Sequence, residues 1–207
     1  YHEGLRGIRA GYAKFETFPI WNLPLKHPVN LAYEAATADL NDVNMIDPYH
    51  LEAYGITTVN YNRDVEVFPV LSAIFERIMG ECPYKSPTDM GVNMVGYAIS
   101  DDEVCRDASR MEIIRRYYKG LTDLRMGRES QETVNKLKKI MQELNLHPTD
   151  RAVVQPALDK AERCGNTAAA IQLPDGRIIT GKASNLLSAC SAAVLNAIKA
   201  MANIPKS

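Results

Sequence analysis

The sequence predicts a mixed fold of the α+β or α/β class, in which a helical subdomain precedes a layer made of a β-hairpin and a helix. Apolar residues recur every three or four positions between residues 101 and 165, which is the period of amphipathic helices. Beyond residue 165, two short apolar segments flank a turn and an apolar helix follows. We therefore expect a mixed α/β segment at 1–100 with two ordered proline-rich loops, a helical subdomain at 101–165, and the start of an α/β subdomain at 166–207.

Two irregular stretches divide the first hundred residues. Residues 17–28 contain three prolines, which is too many for a helix or a central strand. Residues 81–100 form the second stretch, which combines prolines with glycine and polar residues. The elements expected between them are a helix from Pro28 to about Leu40, short strands at 43–46 and 56–60, and a helix at 69–79 that ends at Gly80.

The helical subdomain is expected to contain three helices. Ser100 and Glu103 form a capping box at the start of the first helix. The second helix follows Ser130, and the third begins after position 149 or 150 and ends at Gly165. Each helix carries apolar residues on one face and charged residues on the other, so the charged faces should point to solvent.

The segment after Gly165 predicts a β-hairpin followed by a helix. Residues 167–173 and 178–181 are short apolar strands that flank the turn Pro-Asp-Gly-Arg at 174–177. Residues 188–202 form a helix that consists largely of alanine and larger apolar residues. Because apolar residues nearly surround this helix, we expect it to be buried against a sheet.

This hairpin and helix resemble the core of cytidine-deaminase-like domains, through the string AAAIQLPDGRIITG at 168–181 and the small-residue helix. In those domains the helix start carries a zinc ligand, and a glutamate two residues later moves protons. Cys190 matches the ligand, but Ala192 replaces the glutamate, and an alignment shifted by one residue gives Ser191 and Ala193. The resemblance implies a deaminase-like fold, incomplete in this chain, without deaminase chemistry and with Cys190 as a packed residue.

Composition and charge exclude several functional classes. The chain has 24 basic and 25 acidic residues and a net charge of −1, so its electrostatics favour neither a nucleic-acid nor a membrane partner. No segment approaches the roughly 18 uninterrupted apolar residues of a membrane-spanning helix. The cysteines are widely spaced and form no C-x-x-C pair, which is typical of reduced thiols. We expect a cytoplasmic protein with no nucleic-acid and no membrane partner.

Sequence motifs for metal-dependent and nucleotide-hydrolysing enzymes are missing. His2 and Glu3 would begin an H-E-x-x-H zinc motif, but Arg6 stands where the second histidine is needed. His50 and His147 lie in turn sequences, where ordinary hydrogen bonding accounts for them. No phosphate loop, dinucleotide fingerprint or nucleophile elbow occurs. We therefore predict no metal and no cofactor, while a nucleotide remains a candidate ligand.

The two irregular stretches hold the best candidates for a binding site. Ordered loops that are rich in hydrogen-bond donors suit a phosphate or carboxylate ligand. The candidate ligand-binding residues are Lys14, Glu16, Thr17, Lys26 and His27 in the first stretch, and Lys85, Ser86, Thr88, Asp89 and Asn93 in the second. Should Lys14 and Lys85 share one anion site, the two stretches must converge in space. The alternative is that these residues only cap helices and form turns.

Four long strings carry a second resemblance, along the whole chain: GYAKFETFPIWNLPLKHPVNLAYEAATADLNDVNMIDPYHLEAYG, VNYNRDVEVFPVL, PYKSPTDMGVN and DGRIITGKASNLLSA. Together they resemble a bacterial family of uncharacterised conserved cytosolic proteins that are more than twice this length. The resemblance implies that the chain is an internal fragment that follows an N-terminal α/β half. Some members are labelled ATP-dependent zinc proteases or peptidases, but this chain contains neither the phosphate loop nor the zinc motif.

These observations lead to two functional hypotheses. The first is an enzyme-like cytosolic protein that binds an anionic small molecule, with a nucleotide as one candidate and with the site shared with the missing N-terminal half. The alternative is a non-catalytic scaffold or a homo-oligomerisation module, in which both irregular stretches are structural. No catalytic residue can be named from the sequence, and whether the protein is an enzyme is left open.

Overall fold

The structure, a computed structural model, describes residues 2–10 and 19–204. These residues form two compact units that divide between Asn145 and Leu146. The described part is mostly helical and contains one small antiparallel sheet in each unit, so a mixed α+β fold is confirmed. The threefold division at residues 100 and 165 stays a prediction.

The first unit is built mainly from helices. Short 3-10 turns at Ala38–Leu40, Pro87–Met90 and Val95–Ala98 connect them. The regular elements are α1 (His2–Leu5), α2 (Pro28–Ala36), β1 (Asn44–Ile46), α3 (Pro48–Tyr54), β2 (Val59–Tyr61), α4 (Asn62–Met79), α5 (Asp102–Arg125) and α6 (Gln131–Glu143).

Both short strands predicted in the first hundred residues are present, and they pair with each other. Strands β1 and β2 are antiparallel, with Asn44 opposite Tyr61 and Ile46 opposite Val59. Helix α3 follows β1 directly, because Asp47 caps its first turn and the fixed φ of Pro48 suits that position. The sheet and α3 thus bring residues 47–60 together on a short framework.

Two helix starts differ from the prediction. Helix α4 begins at Asn62 rather than at position 69, and Pro69 lies inside it. Proline normally disrupts a helix interior, but the buried side chains of Val65 and Phe68 hold the preceding turns against the core. Helix α5 is capped by Asp101, whose carboxylate accepts a hydrogen bond from the amide of Val104, instead of by the predicted residue at position 100.

The first irregular stretch is ordered by one buried amide. The side chain of Asn30 on α2 accepts a hydrogen bond from the amide of Ile20 and donates to the carbonyls of Ile20 and Pro24. A parallel β-bridge joins Ile20 to Asn93 and so links the first stretch to the second. The described parts of the two irregular stretches are therefore in contact at Ile20 and Asn93.

The core of the first unit lies where α2, α5 and α6 pack. Ile113 and Ile114 on α5 are fully buried, and Leu137 on α6 lies beside Gly120. A Cβ atom at Gly120 would lie 3.0 Å from Leu137, so the missing side chain lets the two helices approach closely.

The second unit contains α7 (Val154–Cys164), β3 (Ala168–Gln172), β4 (Ile178–Lys182) and α8 (Ala189–Met201). The predicted hairpin is present, with β3 and β4 antiparallel and Ala169 opposite Gly181. Helix α8 crosses β4 so closely that a Cβ atom at Gly181 would lie 2.1 Å from the backbone nitrogen of Ala193. Only glycine fits at this contact.

Helix α8 packs on the hairpin through one face, as the prediction of burial against a sheet requires, and its other face is exposed. Ala189, Ala193 and Ala197 pack inward, whereas Val194 and Ile198 are exposed. Cys190 is also exposed, although we predicted it to be packed. The small alanine side chains permit close packing on the hairpin, and two strands are too narrow to cover more than one side of a helix.

Within the described residues, no helix combines the length and apolar character needed to cross a membrane.

Candidate functional site

A buried carboxylate organises the polar centre of the first unit. Asp47 is completely buried and accepts hydrogen bonds from the amides of Tyr49 and His50 at 3.0 and 3.1 Å. Its second oxygen accepts from the amide and the hydroxyl of Thr88, at 3.2 and 2.5 Å. Four donors therefore satisfy the hydrogen-bonding capacity of this buried carboxyl group.

Thr88 extends this network to β2. Its hydroxyl lies 3.2 Å from the hydroxyl of Thr58 and accepts a hydrogen bond from the side-chain amide of Asn60 at 3.3 Å. Thr58 and Asn60 are almost fully buried. We call the whole arrangement the polar cluster, and its members are Asp47, His50, Tyr54, Thr58, Asn60, Ser86, Thr88 and Asp89.

The outer half of the polar cluster is a capping box that also engages α3. The Ser86 hydroxyl accepts from the amide of Asp89, and the Asp89 carboxylate accepts from the amides of Ser86 and Lys85. The same carboxylate accepts a hydrogen bond from the Tyr54 hydroxyl at 3.0 Å, which raises the pKa of that phenol. His50 Nδ1 lies 2.9 Å from the Ser86 hydroxyl oxygen.

Most polar side-chain atoms of the polar cluster form hydrogen bonds within the cluster. Ser86 is fully buried, so its hydroxyl is closed to a ligand in solution even though His50 Nδ1 lies within hydrogen-bond distance of it, and the same hydroxyl accepts a hydrogen bond in the capping box. Lys85 is exposed and lies over the Tyr54 ring at 5.6 Å from its centroid. Lys85 is therefore the cation of this region that a ligand can reach.

His27 is likewise engaged inside the first unit. Its Nδ1 accepts a hydrogen bond from the amide of Val29, as the N-cap of α2, and its Nε2 lies 3.0 Å from a carboxylate oxygen of Asp102. Burial, and then the charge of Arg106, lower the pKa of His27. The lowered pKa and the hydrogen bond that Nδ1 accepts both favour the neutral ring with its proton on Nε2, which does not suit an anion site.

A cavity of about 330 Å³ lies between α2, the start of β1 and α6. Its wall combines apolar side chains with charged residues of both signs. The lining residues are Leu25, Lys26, Leu31, Glu34, Ala38, Asp42, Val43, Asn44, Lys136, Lys139, Ile140 and Glu143.

Three lysines stand at this cavity, and they differ in their partners. Lys26 lies 3.6 Å from Glu143, and Lys136 lies 3.5 Å from Glu132 one turn earlier on α6. Among the described residues, Lys139 forms no salt bridge. Its charge acts on the Glu34 carboxyl of the same cavity, where it opposes the rise in pKa that burial causes, but no carboxylate oxygen of the described residues lies within salt-bridge distance of it.

The opposite wall carries two buried polar groups. Glu34 is partly buried, and this burial raises the pKa of its carboxyl, while one of its oxygens accepts a hydrogen bond from the amide of Asn44. The side-chain amide of Asn44 donates to the carbonyl of Asn30, and its carbonyl oxygen is buried with no hydrogen-bond partner among the described residues. A polar wall of this kind suits a ligand with polar groups better than a purely apolar one.

The structure distributes the predicted site residues over several places. Lys14, Glu16 and Thr17 lie outside the described residues, so the shared site of Lys14 and Lys85 stays a prediction. Asn93 caps the turn at Val95 through its side chain. Of the other predicted residues, Lys26 lines the cavity, His27 caps α2, and Lys85, Ser86, Thr88 and Asp89 lie together at the polar cluster.

Sequence reasoning missed Asp47, His50, Lys136 and Lys139 as members of these sites. The sequence does contain a signal for Asp47, because an aspartate that follows an apolar strand and precedes a proline is typical of a helix N-cap. The two lysines gave no such signal, because positively charged residues on an amphipathic helix normally face solvent.

A metal site is not apparent in the described ranges, which contain no group of three histidine, cysteine, aspartate or glutamate side chains placed to hold an ion.

Comparisons with known proteins cover the whole chain. The family model for the domain of unknown function DUF1846, N-terminal, matches residues 1–145, and the C-terminal DUF1846 model matches residues 149–207. A UPF0371 protein of Streptococcus thermophilus is 61% identical over 206 residues, and UPF0371 proteins of Streptococcus pneumoniae and Streptococcus sanguinis are 59% identical. Each alignment covers 100% of this chain but 42% of the relative, so the chain spans less than half of their length.

Proposed function

Since this chain belongs to the DUF1846 family of uncharacterised bacterial proteins, we propose a function from its own geometry: the first unit binds a small anionic molecule in the cavity between α2 and α6. The observation that carries the proposal is the group of three lysines on a partly apolar cavity wall. Lys139 is the central residue of the proposal, because its charge has no salt-bridge partner among the described residues.

The size and chemistry of the cavity support a compact ligand. Its volume of about 330 Å³ lies at the lower end of the range of roughly 300–1,000 Å³ for ligand pockets. Leu31 and Ile140 offer an apolar surface to the body of the ligand, and Lys136 and Lys139 lie three residues apart on the same side of α6. A phosphate or carboxylate group would contact the lysines, and a small apolar body would lie against the two aliphatic side chains.

A nucleotide remains one candidate within this proposal. Its phosphates would contact the lysines, and its base would extend beyond the cavity toward chain that the longer relatives possess. On this proposal the complete site is shared with a further part of the longer protein.

The alternative function is a non-catalytic scaffold or oligomerisation module. The polar cluster favours this alternative, since its buried hydroxyl and carboxylate groups already satisfy each other. Under this hypothesis the lysines are solvated surface charges, and the cavity has no ligand.

For the second unit we propose a fold and no binding or catalytic activity. Its order of strand, turn, strand and helix supports a deaminase-like layer, as the resemblance of residues 168–181 implies. Because Ala192 or Ala193 stands where those domains carry the glutamate, we propose the fold without the chemistry.

Thermal unfolding with small anions tests the proposed function. Inorganic phosphate, pyrophosphate, citrate and ATP are each added to the 207-residue chain. A probe present at about 100 times its dissociation constant should stabilise the protein by ~2.7 kcal/mol. Lys139→Gln should weaken binding of the active probe by about 10- to 100-fold, which corresponds to the ~1.5–3 kcal/mol of a charged hydrogen bond.

Lys138→Gln is the matched control, because Lys138 is an exposed neighbour on α6 that does not line the cavity. This variant should bind the probe like the parent chain. Equal loss of binding in both variants would show a diffuse charge effect and not a site. No stabilisation by any of the four anions would favour the scaffold.

A further inference from the structure

The outer face of α8 is apolar and exposed. It consists of Val194, Leu195, Ile198 and Met201, which recur at helical spacing on the side opposite the alanines that pack on the hairpin. The exposed fraction of these side chains reaches 54% at Ile198 and 62% at Met201. Large apolar residues in the segments just before and after α8 are also exposed, namely Leu186, Leu187 and Ile204.

The charge pattern distinguishes this face from an ordinary surface helix. Lys199 is the only charged residue between positions 183 and 204. The solvent-facing side of α6, by contrast, carries Glu132 and Lys138. Contiguous exposed apolar residues of this kind are typical of surfaces that another segment covers.

The outer edges of the two-stranded sheet beneath α8 are also unpaired among the described residues. Strands β3 and β4 pair with each other, and among the described residues neither strand pairs with a third. A two-stranded sheet is only marginally stable by itself, and its free edges are able to accept further strands. The helix face and the strand edges thus lack partners in the same unit.

We infer that the outer face of α8 docks an apolar segment of the additional chain that the longer members of this family possess. More than half of the length of each curated relative lies outside the stretch that matches this chain. Such a segment covers α8 and reaches the strand edges of the same unit. A second copy that pairs through α8 leaves the strand edges free, so the observations favour the same polypeptide over a dimer.

Site-specific thiol labelling tests this docking surface. Ile198→Cys is made in the 207-residue chain, and the equivalent substitution is made in the full-length UPF0371 protein of Streptococcus thermophilus. Maleimide modification of that site is followed by peptide mass spectrometry, so that Cys190 and the other native thiols are counted separately. The site should react at least about tenfold more slowly in the full-length protein, because burial restricts access to the thiol.

Glu162→Cys, on the exposed side of α7, is the control and should react at similar rates in both proteins. Equal rates at position 198 in both proteins would overturn the inference. Slow reaction that speeds up on dilution, together with a dimer in sedimentation, would assign the face to a second copy instead. Slow reaction in the monomeric 207-residue chain would also overturn the inference, because no additional segment would then be needed.

Discussion

Asp47 and Thr88 join a strand end, a helix start and a proline-rich stretch through hydrogen bonds that lie inside the first unit. Residues of this kind contribute to stability through the groups that they satisfy. When a substitution removes one partner of a buried hydrogen bond, the other polar group stays buried and unsatisfied. The polar cluster is therefore the place where single substitutions should have the largest effect on folding.

Asp47→Ala should lower the free energy of unfolding by ~2–4 kcal/mol. The estimate combines the loss of the α3 cap, at about 1 kcal/mol, with the cost of leaving Thr88 without its acceptor. Urea denaturation measures the change. Glu52→Ala, on the exposed side of α3, is the matched control and should change stability by less than about 0.5 kcal/mol. Similar losses in both variants would contradict a specific role for Asp47.

His27 should make stability depend on pH. Its pKa in the folded protein lies below the ordinary value of 6.5, so the unfolded chain binds this proton more tightly than the folded protein does. The contribution of the neutral cap is fully present above pH 6.5 and is lost as the pH falls from 6.5 through the lowered pKa. Urea denaturation between pH 7.5 and pH 5.5 should therefore show decreasing stability.

The variant His27→Asn isolates this effect. Asparagine is able to cap α2 but carries no titrating group, so the pH dependence over this range should become clearly weaker than in the parent chain. A variant with an unchanged slope would show that other groups cause the dependence.

At the scale of elements, α8 shows how a helix of small residues docks on a narrow sheet. Gly181 and Ala193 meet backbone to backbone, and neither position has room for a larger side chain. The same helix presents large apolar residues on its other side. Its two faces therefore differ in side-chain size and not in polarity, so the sequence pattern predicts burial against a sheet but does not indicate which face packs on it.

Ala193→Glu should lower the free energy of unfolding of the second unit by ~3 kcal/mol or more, because Ala193 is fully buried and the new carboxylate would have no partner. Hydrogen exchange of the β3–β4 amides follows this unit specifically. Leu195→Glu is the matched control on the exposed face of α8 and should be tolerated in the 207-residue chain. An Ala193→Glu protein as stable as its parent would show that α8 does not pack as described.

At the scale of the whole molecule, the described chain is divided in the same place by structure and by family. The two compact units separate after Asn145, and the two family models separate between positions 145 and 149. The cavity that carries the proposed function lies entirely in the first unit, and the apolar face of α8 lies entirely in the second. Each proposal can therefore fail without the other.

The cavity also shows why a binding site is harder to predict than the elements that form it. Lys26 and Lys139 are separated by more than one hundred residues in sequence and lie on the same cavity. The packing of α2 against α6 produces that proximity, and no local pattern encodes it. Lys26 was a candidate because it lies in a proline-rich stretch, whereas Lys139 had no such signal.

The amino-acid sequence by itself determined the features that depend on neighbours along the chain. These include the hairpin around Pro174 and Gly176, the start of α2 at Pro28, and the resemblance to the family. Only the tertiary structure decided which polar residues lie together and which apolar face stays exposed. Burial of Val65 and Phe68 keeps α4 continuous although Pro69 disfavours a helix interior. Thr88 donates a hydrogen bond to Asp47, which lies 41 residues earlier in the sequence. Local geometry follows from short-range sterics and capping, whereas a site depends on long-range packing that no single segment specifies.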